Sequence, residues 1–345
     1  MAADEALSEW LATHLGIEDA WVAEELGGGN SNVTLLVEAR EGRYVIRRPP
    51  ANTISPLAGR GVRREYHTLA ALQAVGDGFR VPRAMGFCDD PAVIGAPFAV
   101  VGHVSGVAIT DSPPARWPPG PDTLAQVGEQ LVDSLAAIHA LDWRQLDLPD
   151  FSPPRGFLER QLDRWLGIRA EDRVRDLPLL ERVAGKLRAG LPSRPAEALV
   201  HGDYHLDNTL FLRDRPELSA IIDWELASLG DPRLDLGLVL AFWGERPLAR
   251  PGFDFVQAVT RRADVPSRQA LAERWSRASG HPLEEPGYWC AFALWRLAAM
   301  VEGAYCLHRR GRVDSDYARN LEFDVPALLE EAASELGLDA RGEHR

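Results

Sequence analysis

The chain has 345 residues, with 38 Lys and Arg against 51 Asp and Glu, so its formal net charge is −13. Hydrophobic residues make up 46% and charged residues 26%, a profile typical of a soluble globular protein and not of a disordered one. The negative balance argues against a broad nucleic-acid-binding face, because that affinity depends on clustered basic charge. It still allows one small anion in a locally basic pocket.

Membrane and secreted classes also lack support in the sequence. The first ten residues, MAADEALSEW, do not have the basic-then-apolar pattern of a signal peptide. The most apolar segment, residues 288–305, is interrupted by Arg296 and Glu302. Three cysteines, odd in number and far apart, do not match a disulfide framework or a zinc site. We therefore expect a cytoplasmic protein without a membrane partner.

Lysine usage excludes two further classes. Lys186 is the only lysine in the sequence. A P-loop requires Gly-Lys-Ser or Gly-Lys-Thr, and the sequence contains neither tripeptide. Schiff-base chemistry would have to use Lys186, which lies in LERVAGKLRAG, a pattern typical of a helix surface.

The first third of the chain is predicted to be mainly sheet. Alternating or apolar stretches predict a three-stranded antiparallel meander and one later buried strand, at 20–26, 33–39, 43–48 and 97–106. Helical periodicity predicts helices over 5–15 and 60–75.

After residue 106 the sequence changes character. A Pro- and Gly-rich segment, 107–120, predicts a linker or surface loop. Helical patterns then dominate, at 121–140, 155–168, 177–190, 232–243, 267–279, 286–309 and 317–337. The only strands predicted among them are 209–212 and 219–223. We expect an α+β fold of two lobes with a cleft between them, an N-lobe of 1–104 and a helical C-lobe of 105–345.

A dense group of polar residues occupies the segment VHGDYHLDNTLF, residues 200–211. Its members, and one acid that follows at the end of an apolar strand, are His201, Asp203, His205, Asp207, Asn208 and Asp223. Polar residues beside buried strands need hydrogen-bonding partners or a catalytic role. A capped turn would explain any one of them, but it does not require so many in a fixed order.

Phosphoryl transfer requires this set of groups. One carboxylate accepts the proton of the attacking hydroxyl, and oxygen ligands hold Mg²⁺ against the nucleotide phosphates. Asp203 and Asn208, five residues apart on one loop, are predicted to be the base and a metal ligand, and Asp223 a second ligand. The spacing is that of the kinase catalytic loop, His-Arg-Asp and then Asn, with a later Asp-Phe-Gly.

With these motifs the sequence resembles the aminoglycoside phosphotransferase and choline kinase-like enzymes, small-molecule relatives of the protein kinases. The resemblance covers nearly the whole chain and is most specific at HGDYHLDN and at IDWE. It implies a bilobal protein-kinase-like fold, with a five-stranded antiparallel N-lobe, a hinge and a mainly helical C-lobe. It also implies that Asp203 is the catalytic base, that Asn208 and Asp223 bind magnesium, and that His205 lies near the transferred phosphate or the metal.

The N-lobe is expected to hold the nucleotide. GGGNSN, residues 27–32, lies where a nucleotide-covering loop should be, because glycine lets backbone N–H groups approach phosphate. The candidate contacts are Gly28, Gly29, Asn30, Ser31 and Asn32. A Gly-rich turn is also an ordinary hairpin connection, so this motif by itself is weak.

Arginine stands where kinases carry their phosphate-holding lysine. The pattern V-A-I-K reads here Tyr44-Val45-Ile46-Arg47. An arginine binds phosphate bidentately, unlike the point charge of lysine. Strand alternation allows only one of Arg47 and Arg48 to face the cleft, and the pattern favours Arg47. Arg-Arg-Pro-Pro here resembles a branch sometimes fused to acyl-CoA dehydrogenase-like domains.

Two further parts of the nucleotide site are predicted. Glu65, on the next helix, is expected to pair with Arg47, although an ordinary solvated glutamate is the alternative. Residues 100–104 are expected to form the hinge, where backbone groups of Val101 and Val104 bind adenine. ATP is the expected nucleotide. GTP is not excluded, because backbone groups and not side chains would contact the base there.

Other acids are assigned structural roles. Asp231 is predicted to cap a helix and Asp235 to bond back to the catalytic loop. Asp207 and Glu225 are expected to be solvated acids beside the site. The aromatic residues of 286–309 are expected to lie in the core.

The sequence therefore predicts an ATP- and Mg²⁺-dependent phosphotransferase with a small-molecule hydroxyl as acceptor; neither the acceptor nor the oligomeric state follows from the sequence. The replacement of lysine by Arg47 motivates one alternative, a pseudokinase that binds a nucleotide or metabolite without turnover. Gly-Asp-x-His in HGDYH motivates another, a dinuclear metallophosphatase, but the further ligand motifs of that class do not occur in the sequence.

Overall fold

The computed structural model describes residues 2–26, 32–49, 58–76, 78–244, 258–262 and 265–338. The chain divides into two compact units. An N-terminal unit contains Met1–Gly106, Asp142–Phe151 and Ser219–Ala227, and a helical unit contains Val107–Leu141, Ser152–Leu218 and Ser228–Arg345. The predicted boundary after residue 104 stays a prediction. In the structure two later segments of the chain also belong to the N-terminal unit.

The N-terminal unit contains a five-stranded antiparallel sheet with the order β1-β2-β3-β5-β4. Its strands are β1 (Trp21–Leu26), β2 (Val33–Ala39), β3 (Gly42–Arg48), β4 (Ala84–Cys88) and β5 (Phe98–Gly102). The predicted meander is confirmed as β1, β2 and β3, and the predicted buried strand as β5. β4 has no counterpart among the predicted strands, because AMGFC is short and does not alternate.

Three helices accompany this sheet: α1 (Ala2–Leu15), α2 (Ala58–Val75) and α3 (Pro91–Ile94). A core between α1 and the sheet includes Leu11, Val37, Ile46 and Phe98, all fully buried. The predicted helices over 5–15 and 60–75 are confirmed as α1 and α2. The apolar face of α2 packs beside β5 and also against the turn Trp224–Leu226.

The helical unit is built from the predicted helices. They are α4 (Pro121–His139), α5 (Phe157–Glu171), α6 (Pro178–Ala189), α7 (Arg233–Phe242), α8 (Arg268–Ser279), α9 (Pro286–Arg309) and α10 (Asp316–Glu335). Local sequence explains several of their starts. The hydroxyls of Ser267 and Ser315 accept backbone hydrogen bonds at the first turns of α8 and α10, and Pro178 and Pro286 occupy first-turn positions of α6 and α9.

Four short strands surround the predicted catalytic segment. They are β6 (Ala198–Val200), β7 (Thr209–Phe211), β8 (Leu218–Ile221) and β9 (Ser228–Gly230), paired as β6 with β9 and β7 with β8. The expectation of only two strands after residue 106 is therefore wrong. β6 and β9 have three residues each, too few to show a periodicity.

Helix α9 is the core helix of the helical unit. Among the described helices it alone is long and apolar enough to cross a membrane by length and composition, and 67% of its apolar window is buried inside the protein. Trp289, Trp295 and Tyr305 are buried, as predicted, and so are Arg296 and Glu302. The apolar composition of α9 is thus explained by its place in the core.

Candidate active site

The polar cluster lies on the loop between β6 and β7. His201 follows directly after β6, and a single 3-10 turn, Leu206–Asn208, leads into β7. Tyr204 and Leu206 are fully buried within this loop, and the Tyr204 hydroxyl donates to the carbonyl of Leu131 at 2.8 Å. These apolar anchors fix the path of the backbone that carries the polar side chains.

Asp235, on α7, holds the start of this loop. Its Oδ2 accepts the backbone N–H of His201 at 2.6 Å, and its Oδ1 accepts that of Gly202 at 2.9 Å. The predicted bond from Asp235 back to the catalytic loop is therefore confirmed. Burial opposes ionisation, but the hydrogen bond and charge of His139, the charge of His201 and the Gly202 N–H together lower the pKa of Asp235.

A second contact holds the next peptide of the loop, Gly202–Asp203. Arg296, buried on α9, donates from Nη1 to the carbonyl of Gly202 and from Nε to Oε1 of Gln161 at 3.1 Å. Gly202 has φ of 87°, a left-handed conformation that favours glycine. The sequence offered one signal for this contact, since a lone arginine in an apolar helix must find a partner.

Asp203 and Asn208 come together as predicted. The Nδ2 of Asn208 donates to the backbone carbonyl of Asp203 at 2.8 Å and to its Oδ2 at 3.0 Å. The other carboxylate oxygen, Oδ1, lies 3.5 Å from Nε2 of His205. The side chains of Asp203, His205 and Asn208 therefore lie close together on the predicted catalytic loop.

The surroundings of Asp203 favour its anionic form. Burial would raise its pKa, but the charges of His205, His201 and Arg296 and a hydrogen bond from His205 outweigh burial and lower the pKa to about 2. The side chain as a whole is 23% exposed, whereas its Oδ1 atom is buried. Asp203 is therefore a charged, partly buried acceptor.

His205 lies between two carboxylates. Its Nε2 faces Asp203, and its Nδ1 is 3.6 Å from Oδ2 of Asp207. The expectation that Asp207 is a solvated acid is wrong, because its side chain is only 28% exposed and burial raises its pKa. The turn Leu206–Asn208 points Asp207 back toward His205.

In the N-terminal unit, Arg47 links two carboxylates. Its Nε donates to Oε2 of Glu65 at 3.0 Å and its Nη2 to Oδ1 of Asp223 at 2.7 Å. The pairing of Arg47 with Glu65 is confirmed, and Glu65 is buried and not the solvated alternative. Arg48 donates instead to the carbonyl of Pro49, so the structure favours Arg47 over Arg48.

Burial and charge act against each other in this group. Burial would lower the pKa of Arg47, but the carboxylates of Glu65, Asp223 and Glu225 reverse this effect and raise it. Burial also raises the pKa of Glu65, an effect that Arg47 and the backbone N–H of Trp224 oppose. The guanidinium therefore stays charged and holds the acidic side chains in place.

Asp223 has an unusual backbone conformation. Its φ of 66° and ψ of 60° are left-handed, which is uncommon for a residue with a side chain and is concentrated at functional sites. The next residue, Trp224, is fully buried. After it, Glu225 accepts a hydrogen bond from Nδ2 of Asn32 and is part-buried, so its expected role as a solvated acid is also wrong.

The structure describes only some of the residues that were predicted to contact the nucleotide. Gly28, Gly29, Asn30 and Ser31 lie outside the described residues. Val101 lies within β5, paired with Val45 and Ala84, and Val104 lies just beyond the end of that strand. Their roles toward adenine stay predictions.

Each of the two side chains predicted to bind magnesium offers an oxygen, the type of ligand that Mg²⁺ prefers. Asn208 uses Nδ2 to bond Asp203, so its carbonyl oxygen Oδ1 is the atom that would bind a cation, and Asp223 offers a carboxylate. Among the described residues no group of three or more His, Cys, Asp or Glu is arranged to hold a metal ion. Mg²⁺ often binds through one or two protein oxygens together with substrate phosphates, so a dedicated cluster is not required.

Asp231 stabilises the start of α7 as the sequence predicted, but the N-cap is the next residue, Pro232. Its Oδ1 accepts the backbone N–H of Arg233 at 3.1 Å at the start of α7, and its carboxylate also pairs with the guanidinium of the same residue. The acid thereby fixes the first turn of the helix that carries Asp235.

Comparison with known proteins identifies the family. The profile of the Phosphotransferase enzyme family, APH, matches residues 22–279. The chain belongs to this family. The family predicted from HGDYHLDN and IDWE is therefore confirmed.

Individual relatives agree with this assignment. Mouse acyl-CoA dehydrogenase family member 10 is 28% identical over 342 residues, which are 97% of this chain and 31% of that protein. The chain thus spans about a third of the length of that relative. The relative's name agrees with the dehydrogenase-fused branch that the Arg-Arg-Pro-Pro segment resembles.

Solved structures confirm the kinase-like fold. A Ralstonia eutropha protein described as a candidate aminoglycoside phosphotransferase has a TM-score of 0.78 and 25% identity, covering 96% of this chain and 97% of that one. A thermostable mutant of aminoglycoside phosphotransferase APH(4)-Ia, in ternary complex with AMP-PNP and hygromycin B, has a TM-score of 0.60 and 15% identity, covering 94% and 98%. The second likeness is one of fold alone.

Proposed function

We propose that this phosphotransferase transfers the γ-phosphate of ATP to a hydroxyl of a small molecule, with Mg²⁺ and with Asp203 as the base. The observation that carries the proposal is the state of Asp203. It is a partly exposed carboxylate with a pKa of about 2, on a loop that Asp235 and Arg296 hold from two sides.

A carboxylate of such low basicity suits this reaction. In a loose phosphoryl-transfer transition state the acceptor oxygen needs orientation more than early deprotonation. The acceptor oxygen bonds to the γ-phosphorus while the bond from that phosphorus to the bridging oxygen of ADP breaks. Asp203 first accepts a hydrogen bond from the acceptor hydroxyl and takes its proton late in the step.

The N-terminal unit supplies the donor half of the proposal. Arg47 presents a charged guanidinium whose Nε is held by Glu65, and phosphate oxygens would bind at Nη1 and Nη2, which donate to Thr34 and Asp223 in this structure. Asn208 and Asp223 would hold Mg²⁺, which offsets charge on the phosphates when bound. AMP-PNP in the complex of APH(4)-Ia supports an adenine nucleotide as donor, and hygromycin B there supports a small-molecule acceptor.

Calorimetry tests the donor half. Titration of Mg·ATP into the native protein should show binding that requires magnesium, and Asp223→Ala should weaken it by about tenfold or more. Mg·GTP in the same experiment decides the preferred nucleotide. If neither nucleotide binds the native protein, Arg47 does not replace the kinase lysine and the proposal falls.

Substitution of Asp203 tests the chemistry. Asp203→Asn should keep the affinity for Mg·ATP and lower turnover by roughly 10²–10⁴-fold, the usual contribution of a positioned base. Turnover is measured as ADP release with sugars, amino alcohols and hydroxy acids as trial acceptors. Undiminished turnover in Asp203→Asn would remove Asp203 from the mechanism. A native protein that binds nucleotide and phosphorylates no hydroxyl would instead be a pseudokinase.

A further inference from the structure

We infer that Arg296 is a positioning residue for Asp203: from α9 it fixes the peptide that precedes the base and so sets the direction of the Asp203 carboxylate. This inference rests on the proposed function. Arg296 acts through Gly202 and has no part in the proton transfer itself.

Two successive peptides meet at the Cα of Gly202, and each has a partner outside it. Asp235 accepts the N–H of the His201–Gly202 peptide at 2.9 Å, and Arg296 donates to the C=O of the Gly202–Asp203 peptide. The N–H of this second peptide, from Asp203, donates to Nδ1 of His201 at 3.2 Å. The carbonyl carbon of Gly202 is bonded to the nitrogen of Asp203, so rotation of the second peptide changes the direction of the Asp203 side chain.

Arg296 is itself fixed in place. Its side chain is buried, and its Nε donates to Oε1 of Gln161, a buried residue of α5. Burial lowers the pKa of Arg296, and the charges of Asp203 and Asp235 offset this effect only in part. Gln161, Arg296 and Gly202 thus form a chain of hydrogen bonds from α5 through α9 to the loop.

Packing leaves little freedom around this chain. The space bordered by Gly202, Asp203, Arg296 and Met300 is about 10 Å³, room for roughly one water molecule. The loop therefore cannot shift toward α9 without displacing side chains. The kinase pattern His-Arg-Asp carries an arginine within the loop, whereas this chain has Gly202 there and brings its arginine from a helix.

The direct test is Arg296→Met, which keeps much of the volume and removes both hydrogen bonds. We expect kcat for ADP release from Mg·ATP to fall by about 10–100-fold, because a misplacement of about 1 Å has an effect of this size. The Kd for Mg·ATP should change by less than about twofold. Arg296→Lys retains the charge and one donor, and it should recover part of the lost kcat.

A milder variant and a control exclude a general loss of folding. Gln161→Leu removes only the acceptor that orients Nε of Arg296, and it should lower kcat by a smaller factor with KM unchanged. The control is Arg175→Met, which breaks a buried pair with Glu302 on the same helix but touches no atom of the catalytic loop. It should reduce stability and leave kcat within about twofold.

The outcomes separate this inference from the function on which it rests. If the native protein releases ADP and folded Arg296→Met or Gln161→Leu does so equally fast, the inference is wrong and the proposed function stands. If the native protein never releases ADP, both fall. Hydrogen exchange gives a second readout: the Asp203 amide should exchange faster in Arg296→Met than in Arg175→Met, and equal rates would overturn the inference.

Discussion

At the scale of single residues, the Arg47 group shows how a buried charge is compensated. The side chains of Arg47 and Glu65 are 12% and 5% exposed, and Asp223 accepts from the same guanidinium. Removal of one member of a buried ion pair leaves the other charge without its partner, which is more damaging than removal of both.

Arg47→Met should therefore lower the free energy of unfolding by about 3–5 kcal/mol, and Arg47→Lys should lower it less. The matched control is Arg48→Met on the next position of β3, expected to change stability by less than about 1 kcal/mol. Urea denaturation of the three variants provides the measurement. Equal stability of Arg47→Met and Arg48→Met would show that Glu65 and Asp223 do not depend on this arginine.

Asp203 also predicts a dependence of stability on pH. Its pKa is about 2 in the folded protein and about 3.9 in an unfolded chain, so the ionised carboxylate stabilises the fold above pH 4 by about 2–3 kcal/mol. That contribution is lost as the pH falls through the folded pKa. Asp203→Asn cannot ionise and lacks the contribution at every pH.

The native protein should thus exceed Asp203→Asn in unfolding free energy by about 2–3 kcal/mol at pH 7, and by about half of that at pH 3. Chemical denaturation of both proteins at a series of pH values measures this difference. A difference that does not vary with pH would mean that the pKa of Asp203 is not lowered by folding.

At the scale of elements, the packing of α7 against α9 positions Asp235 beside the loop that carries His201 and Gly202. A Cβ added at Gly237 of α7 would lie 2.3 Å from the carbonyl oxygen of Trp289 on α9. The two helices therefore approach with backbone against backbone, and the neighbouring atom cannot move aside like a flexible side chain. Glycine at this position brings α7 close to the core helix.

Gly237→Ala should lower the free energy of unfolding by about 1–3 kcal/mol, the usual effect of overpacking. It should also disturb the bonds from Asp235 to the loop. Gly185→Ala in α6 is the control, since a Cβ there meets nothing within 4 Å and alanine favours a helix by up to about 1 kcal/mol. Thermal unfolding of both variants tests the contrast. Equal effects of the two substitutions would contradict this close packing.

Elements with many turns or clear alternation were predictable, whereas short ones were not. The helices α4 to α10 follow apolar periodicities of ten or more residues, and α8 and α10 also carry serine caps. β4, β6 and β9 have five, three and three residues. Such strands exist because neighbouring segments pair with them, and this information is absent from their own sequence.

At the scale of the whole molecule, the long apolar helix α9 lies in the core of the helical unit. By composition it could cross a membrane, yet 67% of its apolar window lies inside the protein. Its buried polar residues have partners within the helical unit, Gly202 and Gln161 for Arg296 and Arg175 for Glu302. A bilayer could replace none of these contacts.

We expect the purified protein to remain in the aqueous layer when it is mixed with phosphatidylcholine vesicles and floated on a density gradient. Quantification of protein in each fraction measures this partition. A membrane-anchored helix fused to a carrier protein serves as the positive control. Co-flotation of the native chain would mean that α9 leaves the core to meet lipid.

The candidate site was predictable where its residues are close in sequence. Asp203, His205 and Asn208 share one loop, and a fixed spacing identified them together. The pair Arg47 and Glu65 came from a pattern of strand and helix. The partners of Arg296 and Asn32 could not be predicted. Arg296 bonds Gly202, 94 positions away, and Asn32 bonds Glu225, 193 positions away.

The sequence by itself determined the family, the α+β class and the grouping of Asp203, His205 and Asn208 on one loop, because each depends on local spacing, periodicity or residue type. Tertiary structure alone decided which buried charges meet: Arg47 with Asp223, Arg296 with the Gly202 peptide, and Glu302 with Arg175. The physical reason is that burial makes a partner obligatory for a charged group but does not specify which one. The packing of helices and sheet selects that partner.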